Sequence, residues 1–252
     1  MGFGNITQHS LWHEPLPPTI EWLRCTACAH IHTRHHWSAA GQAELLRNAQ
    51  AAPTSLTAIM GQRAAWSTLP GKVTGLLGGY GSLFDHGARP IWVDVGCGDG
   101  ALLSTVLDCG YAAVGLDTNP IAVERIQKLG FSALAHDFVT LDFQITPDVL
   151  TLFDVLPQLP DPAAVLHKAA KVLRPGGVLV VSAPDCASSI WRLREAENAN
   201  PDWKDIERHH IFTREHLARL IREAGFDIED IRSSLDRPAH VELFAVRRSN
   251  AT

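Results

Sequence analysis

Short apolar runs alternate with helical patterns through most of the chain after residue 90. Residues 91–95 form a strand-like run that breaks into glycines, and an amphipathic pattern of helical spacing begins at Ala101. Further strand-like runs cover residues 111–116, 131–135, 149–155, 178–182 and 241–246. Strands that alternate with helices form a mostly parallel sheet with helices on both faces. The pattern therefore predicts an α/β fold: a Rossmann-like, seven-stranded, mostly parallel sheet.

The last third of the chain predicts the closing part of this sheet. Residues 163–173 have helical spacing and end in an Arg-Pro-Gly-Gly turn, which the next apolar run follows. Thr213 is placed to cap another helix, which Gly225 ends. We expect the sixth strand to start at Phe226 and residues 241–246 to complete an antiparallel edge.

Composition divides the chain into three predicted parts. Residues 1–37 are rich in Cys and His. Residues 38–88 contain helix formers interrupted by prolines and glycines, which indicates a helical lid and linker before the core. Residues 89–252 carry the α/β pattern and therefore form the predicted main domain.

The turn after the first core strand combines glycines with two acids. Gly96, Gly98 and Ala101 satisfy the loose dinucleotide-binding pattern, so the glycines alone do not identify a ligand. Asp94 and Asp99, however, place negative charge where a diphosphate would lie, which is repulsive in a crevice of low dielectric constant. A ligand with a cationic amino acid end, such as S-adenosylmethionine (SAM), suits this turn better.

Residues 93–100 resemble motif I of the class I SAM-dependent methyltransferases, hydrophobic-Asp-hydrophobic-Gly-x-Gly-x-Gly. An acid that ends the second core strand, Asp117, is suited to accept hydrogen bonds from ribose hydroxyls. The resemblance implies further contacts, with Asp137 at the adenine amino group and Phe138 against the ring. The predicted SAM-binding residues are Asp94, Gly96, Cys97, Gly98, Gly100, Asp117, Thr118, Asn119, Asp137, Phe138, Phe153 and Asp154.

The segment after the fourth core strand departs from the family. Members that this chain resembles often read Asp-Val-Leu-Glu-His-Leu, whereas Pro157 and Gln158 replace the Glu-His pair here. A base at that place is therefore absent. Residues 184–210 are the segment in which such folds insert acceptor-binding structure. His209 or His210, just before the capping Thr213, is the predicted general base, because neutral imidazole accepts a proton near neutral pH; a hydrogen bond to the backbone is the equally weighted alternative.

Cys25 and Cys28 form a CxxC pair that resembles one half of a zinc ribbon found in some small-molecule methyltransferases. Thiolates spaced in this way share one tetrahedral zinc. The predicted set is completed by His9 and His13, with the histidines of residues 30–36 as the competing source. Because the first CxxC pair is missing, two ordinary reduced cysteines remain the alternative.

Bulk properties exclude several partner classes. The 252 residues carry a formal net charge of -5 and a pI of about 6.2, which offers no general attraction to nucleic acid. No apolar run predicts a membrane span, and the first residues do not have the pattern of a signal peptide. Five unevenly spaced cysteines indicate a reducing cytoplasm.

The sequence as a whole predicts a SAM-dependent methyltransferase that acts on a small-molecule acceptor, with oxygen the expected acceptor atom. Zinc is a second predicted cofactor. Two alternatives stay open: a nucleotide-dependent oxidoreductase on the same type of sheet, and a non-catalytic SAM-binding or zinc-knuckle module with a degenerate core.

Overall fold

A computed structural model describes residues 2–14, 16–38, 40–41, 45, 56–84, 88–235 and 237–249. In chain order the strands are β1 (Gly2–Asn5), β2 (Thr19–Arg24), β3 (Ile31–Thr33), β4 (Ile91–Val95), β5 (Ala112–Asp117), β6 (Ala133–Ala135), β7 (Val149–Phe153), β8 (Val178–Pro184), β9 (His210–Ile211), β10 (Phe226–Ser233) and β11 (His240–Arg247). The helices are α1 (Leu56–Trp66), α2 (Leu69–Leu76), α3 (Gly79–Phe84), α4 (Ala101–Asp108), α5 (Pro120–Lys128), α6 (Pro162–Val172), α7 (Ser189–Ala196) and α8 (Arg214–Glu223).

The predicted seven-stranded sheet is confirmed. Its strand order is β10-β11-β8-β7-β4-β5-β6. The five strands from β8 to β6 in this order, β8-β7-β4-β5-β6, all pair in parallel. Strand β11 pairs antiparallel with both β8 and β10. The carboxyl ends of β4, β5, β6 and β7 therefore meet at one edge, which is where ligands bind in open sheets of this type.

Local sequence explains where the helices of this sheet begin. The Asn119 side chain accepts hydrogen bonds from the amides of Ile121 and Ala122, and Pro120 occupies the first turn of α5. The Thr213 hydroxyl accepts from the His216 amide and caps α8, as the sequence predicts. These caps fix where the loops that precede α5 and α8 end and the two helices begin.

The core lies on both faces of the large sheet. Strand β8 is buried along its whole length, which agrees with an apolar strand covered by helices on each side. One face packs against α6 and α8, and the other against α2 and α4. Each fully buried aliphatic side chain contributes about 1.5–3 kcal/mol to folding, so this sheet is a stable platform for the loops at its edge.

A second, four-stranded sheet has the order β1-β2-β3-β9 and joins the N-terminal segment to a strand from much later in the chain. His32 lies opposite His210 in this pairing. Trp203 packs edge-on against Trp22 and Trp191, with ring centroids 5.8 and 5.6 Å apart. The N-terminal residues are thus tied to the segment that leads into β9.

The predicted lid, residues 38–88, is partly described. Helices α1, α2 and α3 lie within it, and α2 packs its buried Leu69 and Val73 into the core beside α4. Residues 39, 42–44, 46–55 and 85–87, which include most of the helix former-rich stretch, lie outside the described residues. Among the helices that are described, none has the length and apolar character needed to cross a bilayer.

Candidate functional site

The turn between β4 and α4 depends on glycine. Gly96, Gly98 and Gly100 all have positive φ, at 72°, 50° and 78°. A Cβ on Gly96 would lie 2.7 Å from Cγ2 of Val155, and one on Gly100 would lie 3.1 Å from Cγ2 of Ile126. Glycine is therefore required both for the backbone conformation and for the close approach of neighbouring side chains.

Asp117 at the end of β5 holds this turn in place. Its Oδ2 accepts a hydrogen bond from the Gly98 amide at 3.0 Å, and its Oδ1 accepts from the Asn119 amide at 2.8 Å. Charge-assisted bonds of this kind are the stronger class of protein hydrogen bonds. The carboxylate thus connects the glycine turn to the start of α5 at the edge of the sheet.

Asp94 is buried behind the glycine turn. Its Oδ1 accepts a hydrogen bond of 2.6 Å from the Thr151 hydroxyl, which itself accepts from Nε1 of Trp92 at 3.2 Å. Burial raises the pKa of Asp94 from 3.8 to about 7, against the lowering effect of the Thr151 bond and with a further increase from Asp117 and Asp99. This carboxylate therefore favours a positive charge beside it.

A cleft of about 260 Å³ opens at the carboxyl ends of β4, β5, β6 and β7. Its lining residues are Val95, Gly96, Leu116, Asp117, Thr118, Asn119, His136, Asp137, Phe138, Val139, Phe153, Asp154, Val155, Gln158, Leu159 and Glu207. Four of these side chains are carboxylic acids, and among the described residues no Lys or Arg lines the cleft. The cleft thus disfavours a diphosphate and favours a cation.

The end of the cleft beyond β7 contains an ion-pair network around Asp154. Its carboxylate contacts Arg237, lies 3.2 Å from Nε2 of His240 and lies 3.7 Å from the Arg208 guanidinium. Burial would raise the pKa of Asp154, but the contact with His240 and the charges of Arg208 and Arg237 outweigh it and hold the pKa below its ordinary value. Asp154 is therefore ionised and already neutralised by its neighbours.

The predicted SAM-binding residues fall into two groups. Those that line the cleft are Gly96, Asp117, Thr118, Asn119, Asp137, Phe138, Phe153 and Asp154. Those that are not in its lining are Asp94, Cys97, Gly98 and Gly100. The Cys97 sulfur packs against Gly115 so closely that a Cβ added to Gly115 would lie 2.6 Å from Sγ of Cys97. Burial raises the pKa of the Cys97 thiol. The Cys97 side chain thus packs beneath the turn.

Neither predicted base, His209 nor His210, lines the cleft. Nδ1 of His209 lies 3.2 Å from the Thr33 hydroxyl, and Nδ1 of His210 lies 3.1 Å from Nε2 of His30. Burial lowers the pKa of both rings to about 4, so both are neutral at physiological pH. His210 begins the strand that pairs with β3, and the His209 carbonyl accepts a hydrogen bond from the Thr33 amide at 2.9 Å.

The four predicted zinc ligands are not brought together. Cys25 and Cys28 lie in the turn between β2 and β3, whereas His9 lies beside Asp205 and Glu207, with the three ligand atoms within 4.8 Å of one another. Nδ1 of His13 lies 3.2 Å from the Leu11 carbonyl. Within the described ranges, no cluster of three such ligand atoms includes either cysteine. Strand β2 lies between the two places along the chain, because His9 and His13 precede it and the cysteines follow it.

Sequence reasoning missed part of the cleft. His136 directly follows a predicted strand and Val155 ends another, with Gln158 and Leu159 shortly beyond it. Their place near strand ends is the available signal. Glu207 comes from the segment before β9, which the sequence identifies only as a general acceptor-binding region. Its position depends on contacts that no local pattern records.

Comparisons with known proteins agree with this geometry. The sequence profile of the methyltransferase domain family matches residues 73–231. The chain is 34% identical over 110 residues to a ubiquinone biosynthesis O-methyltransferase of Erwinia tasmaniensis, a match that covers 40% of this chain and 45% of that protein. It is 38% identical over 120 residues to a trans-aconitate 2-methyltransferase of Methylobacterium radiotolerans, covering 44% and 45% respectively. The matches thus span less than half of either relative.

A solved structure shows the same fold. The magnesium protoporphyrin IX methyltransferase of Synechocystis, with bound S-adenosylhomocysteine (SAH), superposes with a TM-score of 0.55 at 15% identity and covers 83% of this chain and 95% of that chain. Because the profile match includes β4 to β8 and the whole glycine turn, the chain belongs to the methyltransferase domain family.

Proposed function

We propose that the chain is an SAM-dependent methyltransferase that methylates a small-molecule acceptor, with oxygen as the acceptor atom. The observation that carries this proposal is the charge of the cleft, in which carboxylates line a glycine turn without a Lys or Arg among the described lining residues. Such a cleft suits a sulfonium amino acid and repels a dinucleotide. The names of the two relatives, each a small-molecule methyltransferase, support the acceptor class.

The residues at the sheet edge fit the parts of SAM in order. We assign Asp137 and Phe138, which follow β6, to the adenine, and Asp117, which ends β5, to the ribose hydroxyls. Gly96 and the buried Asp94 behind it suit the amino acid end, and Phe153 and Asp154 border the reacting end. The remaining predicted contacts, Cys97, Gly98, Gly100, Thr118 and Asn119, form or support the same turn.

When bound, SAM supplies an electrophilic methyl group on a positively charged sulfur. The chain contributes alignment of the acceptor and exclusion of water, which account for much of the rate in such transfers. Zinc at Cys25 and Cys28 stays a prediction, with no further ligand shown beside them among the described residues.

Calorimetric titration of the purified chain with SAM, SAH and NAD tests the cofactor assignment. We expect SAM and SAH to bind and NAD not to bind; binding of NAD alone would replace this proposal with the oxidoreductase alternative. Incubation of small-molecule extracts with deuterated-methyl SAM, followed by mass spectrometry, then identifies the acceptor. Tight SAM binding without any labelled product would favour the non-catalytic alternative.

A further inference from the structure

The cleft wall that follows β7 offers no proton acceptor. Residues 155–160 read Val-Leu-Pro-Gln-Leu-Pro and contain no titratable side chain. The titratable groups that line the cleft are Asp117, His136, Asp137, Asp154 and Glu207. The strand order β7-β4-β5-β6 places the first three of these groups at or beyond β5, away from the β7 end.

Two of the carboxylates are already engaged by backbone amides. Asp117 accepts the amides of Gly98 and Asn119, and Asp137 accepts the amides of Val139 and Thr140 through its Oδ1 at 2.7 and 3.2 Å. Both carboxylates therefore already have backbone hydrogen-bond donors as partners.

Asp154 is a poor base for a different reason. Its ion pairs with Arg237, Arg208 and His240 hold its pKa below the ordinary value. A proton from an acceptor would have to displace those contacts.

Glu207 differs from all of these groups. It lies at the β7 end of the cleft, because the His209 amide two residues later donates to the Pro157 carbonyl at 2.7 Å. The nearby Arg208 forms ion pairs with Asp154, Asp202 and Asp205, and within the described chain no ion pair to the Glu207 carboxylate is formed. The titratable and charged groups near Glu207 are Asp205 and Arg208 from its own segment and the His9 imidazole from the N-terminal segment.

We propose that Glu207 faces the methyl-donor end of the cleft and takes the proton of the acceptor during transfer. The inference rests on the proposed function. In the step, the acceptor O–H proton passes to a Glu207 carboxylate oxygen while the oxygen forms its bond to the methyl carbon. The carbon–sulfur bond breaks, its electron pair stays on sulfur, and neutral SAH results. Burial and Asp205 raise the pKa of Glu207, which suits it to hold that proton.

The test uses sinefungin, an SAM analogue in which a protonated primary amine replaces the methyl group, and SAH, which lacks any group there. Affinities of both are measured by calorimetry for the unaltered chain, for Glu207→Gln and for Glu215→Gln. Glu215 lies exposed on α8 and does not line the cleft, so it is a matched charge-removal control. Thermal unfolding of each variant checks the fold.

We expect Glu207→Gln to weaken sinefungin binding on the order of tenfold, through loss of a carboxylate–ammonium attraction in a partly desolvated cleft, with SAH binding unchanged. Equal effects on both ligands, or no effect on either, would overturn the role of Glu207. The proposed function would still stand in that case, provided that the unaltered chain bound SAH. If the unaltered chain bound neither ligand, the proposed function itself would fail.

A second measurement covers the case in which Glu207→Gln does not fold. In the unaltered chain, the ratio of sinefungin to SAH affinity should fall as the pH drops through the raised pKa of Glu207, and a flat ratio would contradict its role.

With an acceptor from the labelled screen, Glu207→Gln should lower kcat on the order of a hundredfold. Unchanged kcat would remove the proton-transfer step from the proposal.

Discussion

The substitution Asp94→Asn should stabilise the fold and weaken SAM binding at once. Asp94 is buried, and the only side-chain hydrogen bond that the structure shows for it comes from Thr151, which an amide oxygen also accepts. Removing the charge therefore removes a desolvation penalty without removing that bond. In the SAM complex the same charge is expected to face the cationic amino acid end, so the variant should bind SAM less tightly.

The magnitude follows from the pKa. Because the pKa of Asp94 is raised from 3.8 to about 7 in the folded state, the native chain binds more protons than the unfolded chain between these values. The unfolding free energy therefore falls as the pH rises through this window, and the penalty is complete above pH 7. At 1.36 kcal/mol for each pH unit, the full penalty is about 4 kcal/mol, and at pH 5.5 it is about 2 kcal/mol.

Urea unfolding without SAM, at pH 5.5 and at pH 8.5, measures the effect. The stability advantage of Asp94→Asn over the unaltered chain should grow by about 2 kcal/mol between the two conditions. Asp148→Asn is the contrasting control, because Asp148 pairs with Arg174 at 2.6 Å and its loss should destabilise. An advantage that did not change with pH, or a loss of stability at pH 8.5, would refute the assignment of a strained charge to Asp94.

Three further outcomes follow from the structure. Asp117→Ala should weaken SAM binding on the order of a hundredfold, since charge-assisted hydrogen bonds are worth about 1.5–3 kcal/mol each; calorimetry showing less than a threefold change would contradict its assignment to the ribose. Burial lowers the pKa of His209 from 6.5 to about 4, so the native chain binds fewer protons below pH 6.5 and loses stability as the pH falls. His209→Gln should remove about 2 kcal/mol of that loss between pH 7.5 and pH 5 in urea unfolding. If the variant lost as much unfolding free energy as the unaltered chain over this range, the lowered pKa of His209 would be contradicted. Backbone hydrogen bonds from Cys28 and Ala27 lower the pKa of the Cys25 thiol, whereas burial raises that of Cys97; iodoacetamide at neutral pH should therefore modify Cys25 first, and mass spectrometry showing earlier labelling of Cys97 would reverse that order.

Local patterns predicted the large sheet because each of its central strands carries its own signal. Strand β4 was placed residue for residue, and β5, β6 and β7 to within two residues of each end, by apolar runs bounded by glycine, proline or an acid. The turn residues followed from the same signal, since an alternating glycine pattern after a buried strand has few structural uses. Prediction worked where the interaction that decides the structure lies within about ten residues.

Long-range contacts decided the parts that could not be predicted. Strand β9 is two residues long and pairs with β3 about 180 positions earlier, so no local apolar run marks it. The histidines around it were therefore interpreted as available bases, although pairing with β3 buries them beside the N-terminal segment. His9 likewise lies beside Glu207 and not beside Cys25, and spacing along the chain contains no information on that separation.

The charges of the site also explain why a glycine turn of dinucleotide type is used here for a different ligand. Asp117 and Asp137 are held by backbone amides, and Asp154 is neutralised by its basic neighbours. Two carboxylates with raised pKa values are left, Asp94 behind the turn and Glu207 at the far end. A raised carboxylate pKa means that a nearby cation would be stabilising. SAM carries two positive charges, on its ammonium and its sulfonium, and carboxylates with raised pKa values attract such charges. A dinucleotide would instead add two phosphate charges to a cleft that already repels them.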